Sequence, residues 1–340
     1  MVESRQGERR MKILVIGNRD RYEKFASGEL AGREGAIVFC KRGAGDGELL
    51  DAAKDADIIL ADAIAPVSAN LIEKMPNLKM IHSEGVAYDK IDTETARKRG
   101  IFVCNNKGCN AAAVAEQAIL LMLAFLRRAI AGDREVRAGH QIQMKERSMV
   151  EGITELGGCT VGLIGFGDIA RATAVRLKAF GCRICYYTPR QKPKETEDEF
   201  GVRYAALEEL AGLSDIVSIH AAVTPETTGM INAEFLARMK PAAFVVNTAR
   251  GEIVDNLALR DALITGKIAG AAFDTLYPEP TPKDHPLVDL PDDCKDRVIY
   301  APHLGGITTG SFMRAHKNIW QNVARVERGE RPANIVNQIL

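Results

Sequence analysis

Val161-Gly-Leu-Ile-Gly-Phe-Gly-Asp-Ile-Ala170 is an apolar run that halts at two glycines and resumes as a helix. Residues 160–164 have the character of a buried parallel strand. Gly165 and Gly167 make a tight turn, and a helix opens at Asp168 and continues through Arg171, Ala174, Leu177 and Phe180. Strand, glycine turn and helix in that order turn a weak G-x-G pattern into a dinucleotide-binding signal. Gly165 permits the turn, and Gly167 lets the backbone approach a pyrophosphate. Ala170 stands where a third glycine is common and is small enough for helix to pack on strand. The helix N-terminus, with Asp168 and Ile169, offers amide donors and the positive dipole end to phosphates. The pattern alone also fits a tight βα turn in any α/β protein, so its surroundings have to decide.

On both sides of this stretch, apolar strands alternate with amphipathic helices. Strands are expected at 12–16, 36–40, 57–61, 78–82 and 101–105, with helices at 47–56, 68–75 and 93–99. A second series of strands is expected at 161–164, 183–187, 216–220, 243–247, 269–273 and 298–300. Such alternation predicts an α/β fold of two doubly wound parallel sheets. A long apolar helix over 111–131 and a helix over 309–328, followed by an extended tail at 332–337, are read as crossovers between the halves. The last segment is expected to return to the first sheet. Residues 1–110 and 308–340 would then form a discontinuous, flavodoxin-like substrate domain, with a Rossmann dinucleotide-binding domain, 111–307, inserted into it. Two hinges and a ligand cleft follow from that arrangement.

Composition narrows the partners. The 340 residues include 45 Lys+Arg and 45 Asp+Glu, a balance that offers nothing to nucleic acid or to an anionic membrane. The longest uninterrupted apolar helical stretch, 118–126, is too short to span a bilayer. The charged start (Glu3, Arg5, Glu8, Arg9, Arg10) carries no apolar signal region and reads as a tail, with Met11 as an alternative start. Seven cysteines make an odd count without a disulfide framework, which points to a reducing cytoplasm. Cys182 and Cys185 spell C-x-x-C at a strand entry, where residues three apart face opposite sides, so packing outweighs a metal role. No metal site is expected.

Chemistry is concentrated at the C-terminal ends of the second-series strands. Asn247-Thr-Ala-Arg250-Gly follows one strand, Tyr277-Pro-Glu279-Pro lies beyond Phe273-Asp274, and Ala301-Pro-His303-Leu-Gly-Gly306 follows another. An Arg can clamp a carboxylate with two parallel hydrogen bonds. A His can give and take a proton near neutral pH. A Glu can orient the imidazole and favour its charged form. Each alone also reads as a surface cation, a turn residue or a strand-end cap; the three in order make a coherent catalytic set.

At these residues the chain resembles the D-isomer-specific 2-hydroxyacid dehydrogenases, over nearly its full length and in the manner of glyoxylate/hydroxypyruvate reductases. The similarity runs through Gly85-Val-Ala-Tyr-Asp-Lys-Ile-Asp92, Asn110 with Val114-Ala-Glu116, and the glycine turn. It continues in Asn247-Thr-Ala-Arg-Gly251, Phe273-Asp274, Glu279-Pro280 and Pro302-His303. The resemblance implies reversible hydride transfer between a nicotinamide cofactor and a 2-oxo/2-hydroxy acid. It assigns substrate binding to Arg250, acid/base work to His303 and its support to Glu279, with the backbone at Val86 and Ala87 on the substrate carboxylate. Asp274 would meet the nicotinamide carboxamide, and His220, Thr248, Ala249 and Gly305 would line the cofactor. A homodimer with 111–131 at the interface is implied as well.

An NAD site usually places an acid about 20 residues after the glycines to bind the ribose hydroxyls. Here that place is taken by Thr188, in Thr188-Pro-Arg190-Gln-Lys192. Losing the acid removes repulsion toward a 2′-phosphate, which Arg190 and Lys192 would bind and to which Thr188 would donate. NADP(H) is favoured on this ground, with NAD(H) as the alternative. Gln141 replaces a frequent aromatic that shapes a neighbouring subunit's pocket, while Ala222 and Gly310 are local packing changes. The chain ends at Leu340, so the regulatory domain of long phosphoglycerate dehydrogenases is not expected. Glyoxylate or hydroxypyruvate fits best, with an aromatic or phosphorylated acid as the alternative substrate. A nucleotide-sensing corepressor on the same fold and a methyltransferase on a similar sheet are competing readings. The second accounts for the glycine turn but not for the Arg–Glu–His set.

Overall fold

The computed structural model describes residues 10–339; the charged stretch before Arg10 lies outside them. The chain divides into two compact units, one formed by residues 1–110 and 309–340 and the other by 111–308.

The first unit holds a five-stranded parallel sheet of β1 (Ile13–Ile16), β2 (Ile37–Cys40), β3 (Ile58–Ala61), β4 (Met80–Ser83) and β5 (Phe102–Cys104). Their order is β2-β1-β3-β4-β5, a doubly wound order whose direction reverses between β1 and β3. Every residue of β1, β3 and β4 is buried, as expected when helices cover both faces of a parallel sheet. One face packs on Leu49, Leu71, Ile72 and Ala96 of the intervening helices. The other receives the helix Thr309–Glu327, whose Ile319, Trp320, Val323 and Val326 meet Ile13, Val15, Ile58 and Met80. Those positions recur along one helical stripe, and each buried Ile or Val contributes about 1.5–3 kcal/mol.

The edge strand β5 is covered by the chain's own tail. Cys104 bridges Ile335 in antiparallel fashion. The Val336 amide donates to Val103 O at 2.8 Å, and Asn337 Oδ1 accepts the Val103 amide while its Nδ2 donates to Ile101 O. The expected return of residues 332–337 to the first sheet is thus a set of ladder bonds that satisfies an otherwise open edge.

The second unit holds seven parallel strands: β6 (Thr160–Ile164), β7 (Arg183–Tyr187), β8 (Arg203–Tyr204), β9 (Ile216–Ile219), β10 (Phe244–Asn247), β11 (Gly270–Phe273) and β12 (Val298–Tyr300). Their order, β12-β11-β10-β9-β6-β7-β8, reverses between β6 and β9, the switch point where ligands of such sheets bind. Leu210, Phe235, Leu236, Leu259 and Leu263 cover one face. Ala118, Ile119, Met122, Ala174 and Leu177 cover the other. Phe125 stacks on Phe244 with centroids 4.1 Å apart. A side chain at Gly270 would meet the Phe125 ring at 2.2 Å, so this strand position admits only glycine.

One expectation is corrected. The helix read over 111–131 ends at Leu126, and a separate helix runs Ala129–Arg137. Arg128 takes a left-handed conformation at φ 51° between them, and its guanidinium bonds Glu151 at the end of the helix Gln141–Glu151. No glycine or proline marks the break, and an ion pair to a residue 23 positions away accompanies it. The short strand β8 was likewise not anticipated from its two residues.

His82, wholly buried in β4, donates Nδ1–H to Ser83 O at 2.8 Å, and Asn322 Nδ2 lies 3.1 Å from its Nε2. Burial, opposed by the Ser83 bond, lowers its pKa from 6.5 to about 4, and burial lowers His220 in the other unit likewise to about 4. Folded-state pKa values below the unfolded one mean that the unfolded chain takes up protons first. Stability is therefore full above about pH 6.5 and falls as pH drops toward about 4, by roughly 3 kcal/mol per histidine at the limit. Urea midpoints at pH 5 are expected below those at pH 7, with a shallower dependence in His82→Gln; equal midpoints at the two pH values contradict this.

Candidate functional site

The glycine turn follows β6 at the switch point. Gly165 has φ +93°, and a Cβ there would meet His220 O at 2.7 Å, so two strand ends close onto one another through this residue. Gly167 has open space where its side chain would be, and it caps the helix Asp168–Phe180. Gly167 and Asp168 are exposed while Ala170 is fully buried against the sheet. Beside the turn, His220 Nε2 lies 3.0 Å from Ser218 Oγ, and its Nδ1 is buried without a protein partner. The buried hydroxyl of Thr248 also lacks one. Open backbone at a 13-residue helix start, with polar atoms left unpaired nearby, is an environment that a dinucleotide's phosphates and polar edges fit.

Asn247 ends β10 and organises the next turn. Its Oδ1 accepts the Ala249 amide and its Nδ2 donates to Arg250 O. Arg250 emerges exposed, one Nη bonded to Ala249 O. Gly251 lets this turn lie directly on the next one, since a Cβ there would meet the Leu276 carbonyl carbon and the Tyr277 nitrogen at 2.3 Å.

The third and fourth turns bring the carboxylate and the imidazole together. Glu279 Oε1 and Oε2 lie 2.9 and 3.0 Å from His303 Nδ1. A carboxylate only accepts, so Nδ1 carries the proton and Nε2 is left to act on a ligand. His303 sits at φ 57°, in a left-handed conformation that the surroundings must enforce. Asp274, 3% exposed at the end of β11, does so by accepting the Leu304 amide on Oδ1 at 2.9 Å and the Gly305 amide on Oδ2 at 2.8 Å. Gln117 Nε2 adds a 3.4 Å bond to Oδ1. A Cβ on Gly305 would lie 2.8 Å from Asp274 Oδ2, so glycine is needed for this grip. The resemblance turns Asp274 toward the cofactor; in the fold its carboxylate also anchors the turn that carries His303.

In the first unit, the loop after β4 is tied down through its carbonyls. Asn106 Nδ2 donates to Glu84 O, the Asn106 amide to Gly85 O, Asn105 Nδ2 to Val86 O, and Ser83 Oγ to Ala87 O. With the carbonyls turned into protein, the amides of Val86 and Ala87 have no acceptor among the described residues. Adjacent free amides of this kind form an anion nest. Glu84 is buried beneath, 2.6 Å from Arg21, which also meets Asp62 at 2.5 Å. Burial lowers the Arg21 pKa, and Glu84 and Asp62 more than offset it, so the cation is retained. Asn105, Asn106, Ser83 and Glu84 were not singled out from sequence; two asparagines ending β5 beside the Gly85 loop were the available signal.

The loop after β7 differs from expectation in one respect. Thr188 is buried and its Oγ1 donates to Arg190 O at 2.7 Å, so the donor expected for a 2′-phosphate is already engaged. Arg190 is exposed and Lys192 half-buried. Glu197 shapes the loop by accepting from Gln191 Nε2 and Tyr186 OH, both at 2.9 Å, and those bonds, Gln191 first, hold its carboxylate below the ordinary range. Tyr186 OH in turn accepts the Lys192 amide. Cys182 and Cys185 face opposite sides of the sheet, toward Leu156 O and Ser214. Among the described residues no group of His, Cys, Asp and Glu is arranged to hold a metal, and no helix is long and apolar enough to cross a membrane.

Comparison with known proteins gives the family. Residues 119–305 match the family model of the D-isomer specific 2-hydroxyacid dehydrogenase, NAD binding domain. The chain is 39% identical over 290 residues to a glyoxylate reductase of Korarchaeum cryptofilum, covering 85% of each protein. It is 38% identical over 291 residues to a glyoxylate reductase of Thermofilum pendens, covering 86% of this chain and 84% of that one. Among solved structures, D-lactate dehydrogenase from Aquifex aeolicus in complex with NAD and lactic acid matches with a TM-score of 0.81 at 28% identity, over 97% of this chain and 100% of that one.

Proposed function

Because this chain belongs to the D-isomer-specific 2-hydroxyacid dehydrogenase family and is therefore a nicotinamide-dependent oxidoreductase, we propose that it reduces a small polar 2-oxo acid, glyoxylate or hydroxypyruvate, with NADPH favoured over NADH. The observation that carries the reading is the Glu279–His303 pair at 2.9 Å, one turn away from the exposed Arg250. The names of the similar glyoxylate reductases support the substrate class.

A nicotinamide bound at the glycine turn would supply the hydride for C2 of the acid. In the first unit, the free amides of Val86 and Ala87 would suit a carboxylate. Arg250 places a planar cation on the carboxylate and the 2-oxo group, fixing the acid and polarising its carbonyl. For reduction His303 enters as the imidazolium, its Nδ1–H held by Glu279, gives its Nε2 proton to the developing alkoxide and is left as the neutral Nδ1–H form. In the reverse direction the same nitrogen takes the hydroxyl proton, and Glu279 steadies the imidazolium that forms. Gly165, Gly167, Asp168, Ile169, His220, Thr248, Ala249, Asp274 and Gly305 are the residues that would hold the dinucleotide. His303→Ala is expected to lose at least about a hundredfold in turnover while still binding cofactor. Near-normal turnover removes His303 from the acid/base role.

The preference for NADPH rests on Thr188 in place of an acid and on Arg190 and Lys192 alongside. An Asp at 188 would release Arg190 O and repel a 2′-phosphate. Thr188→Asp should therefore move the kcat/KM ratio toward NADH by about tenfold or more, and an unchanged ratio places the ribose pocket elsewhere.

A homodimer with the 111–131 region at its interface is part of the same proposal, which the exposed helix Gln141–Glu151 extends. Ile130, Ile142, Met149 and Val150 are 61%, 58%, 74% and 89% exposed there, an apolar set that a subunit contact would cover. The seven cysteines, all unpaired, support a reducing cytoplasmic setting. Sedimentation equilibrium is expected to return twice the chain mass, and a single-chain mass at micromolar concentration contradicts the dimer.

A further inference from the structure

Glu279 is the one member of the candidate set whose aim is not explained by its own side chain. It is exposed on a turn, its carboxylate bonds only His303 among the described residues, and an exposed carboxylate on a free turn would sample many directions. Its direction must come from the backbone of Tyr277-Pro-Glu-Pro280, and that backbone is held at one atom. Tyr277 O lies 2.9 Å from Nε2 of His285 and 3.0 Å from Nδ2 of Asn256. His285 is 2% exposed. Its Nδ1 lies 3.2 Å from the Leu287 amide, and an amide only donates, so Nδ1 is the acceptor and the ring proton sits on Nε2, pointing at the Tyr277 carbonyl; Asn256 Nδ2 also lies 3.2 Å from Nε2, as two donors converging on that one oxygen do. Asn256 opens the helix Asn256–Ile264, which ties the turn to a rigid element. On the other side of the turn Gly251 lies so close that a Cβ there would meet the Leu276 carbonyl carbon and the Tyr277 nitrogen at 2.3 Å.

We propose that His285 is a positioning residue for the reaction: as an obligate Nε2–H donor to Tyr277 O, with Asn256 as second donor, it fixes the turn that aims Glu279 at His303. This rests on the reading of Glu279 and His303 given above. The arrangement makes His285 act on kcat through Glu279, two residues beyond the carbonyl it holds, without touching substrate or cofactor. A histidine that merely filled the 285–289 turn would matter through its Nδ1 acceptor, which serves the Leu287 amide, and not through Nε2.

The two ring nitrogens can be separated by substitution. The amide nitrogen of Gln occupies roughly the place of Nε2 and keeps the donor to Tyr277 O; the oxygen of Asn occupies roughly the place of Nδ1 and keeps only the acceptor for Leu287. Steady-state kinetics of glyoxylate reduction would be measured for wild type, H285Q, H285N, N256A, E279Q and the double variant H285N/E279Q. Thermal midpoints and cofactor titrations by reduced-nicotinamide fluorescence would accompany them. H285N is expected to lose about tenfold in kcat with cofactor affinity unchanged, the scale of one lost buried hydrogen bond. H285Q is expected to stay within about twofold of wild type on the same scale. N256A, at a half-buried position, should lower kcat in the same sense and keeps the question open to experiment should H285N fail to fold. In the double variant the two losses should not multiply, because one acts through the other.

If E279Q leaves kcat unchanged, it is the role of Glu279 itself that fails. If E279Q lowers kcat but H285N does not, or if the two losses multiply in full, the positioning role of His285 is overturned. Equal loss in H285Q and H285N also overturns it, since the Nε2 donor would then be irrelevant.

Discussion

Leu14 and Ile59 on one face and Val15 and Leu60 on the other in the first sheet, and Val217 and Val245 on one face and Ile216 and Val246 on the other in the second, are all buried. Parallel strands covered on both faces cannot present side chains to a ligand from their middles. Chemistry is therefore confined to the turns that leave the strand ends, and each turn must be held by something other than a hydrophobic core. In the second unit the turns after β6, β10, β11 and β12 carry the glycine turn, Arg250, Asp274 with Glu279, and His303. In the first, the turn after β4 carries Val86 and Ala87.

The groups that would meet a ligand are mostly exposed, and the groups that aim them are mostly buried. Arg250 depends on Asn247, His303 on Asp274, Glu279 on the Tyr277 carbonyl, and the Val86–Ala87 amides on Ser83, Asn105 and Asn106. In each case a buried polar side chain satisfies backbone groups that a loop would otherwise leave unpaired. The same bonds that remove a desolvation penalty also fix the direction of the reactive group. Glycines 165, 251 and 305 complete the scheme, because at each a side chain would strike backbone or carboxylate, and turns from separate strands can then lie in contact.

Most of the alternation was legible from sequence, since fully buried strands read as unbroken apolar runs and their helices as periodic ones. The reading failed where a distant partner overrode local signals. Residues 111–131 are apolar apart from Glu116, Gln117, Arg127 and Arg128, yet the chain breaks at Arg128, which is left-handed and paired with Glu151. Thr188 was placed correctly at the end of β7, but the direction of its hydroxyl depends on where Arg190 O lies, and no pattern of residue types contains that.

The sequence by itself determined the residue types and their order: the glycine turn at 165–167, Arg250, Glu279 and His303 at strand ends, Thr188 in place of an acid, and the membership of the family. These are legible because chemistry demands particular side chains and turns demand particular backbone freedom, both local properties of the chain. Only the tertiary structure decided which polar group holds which turn. Asp274 and Leu304 are 30 residues apart, and Asn105 and Val86 are 19 apart. A hydrogen bond is directional and short-ranged, so its partner is settled only once the sheet has brought a donor and an acceptor on two strand ends within about 3 Å of each other.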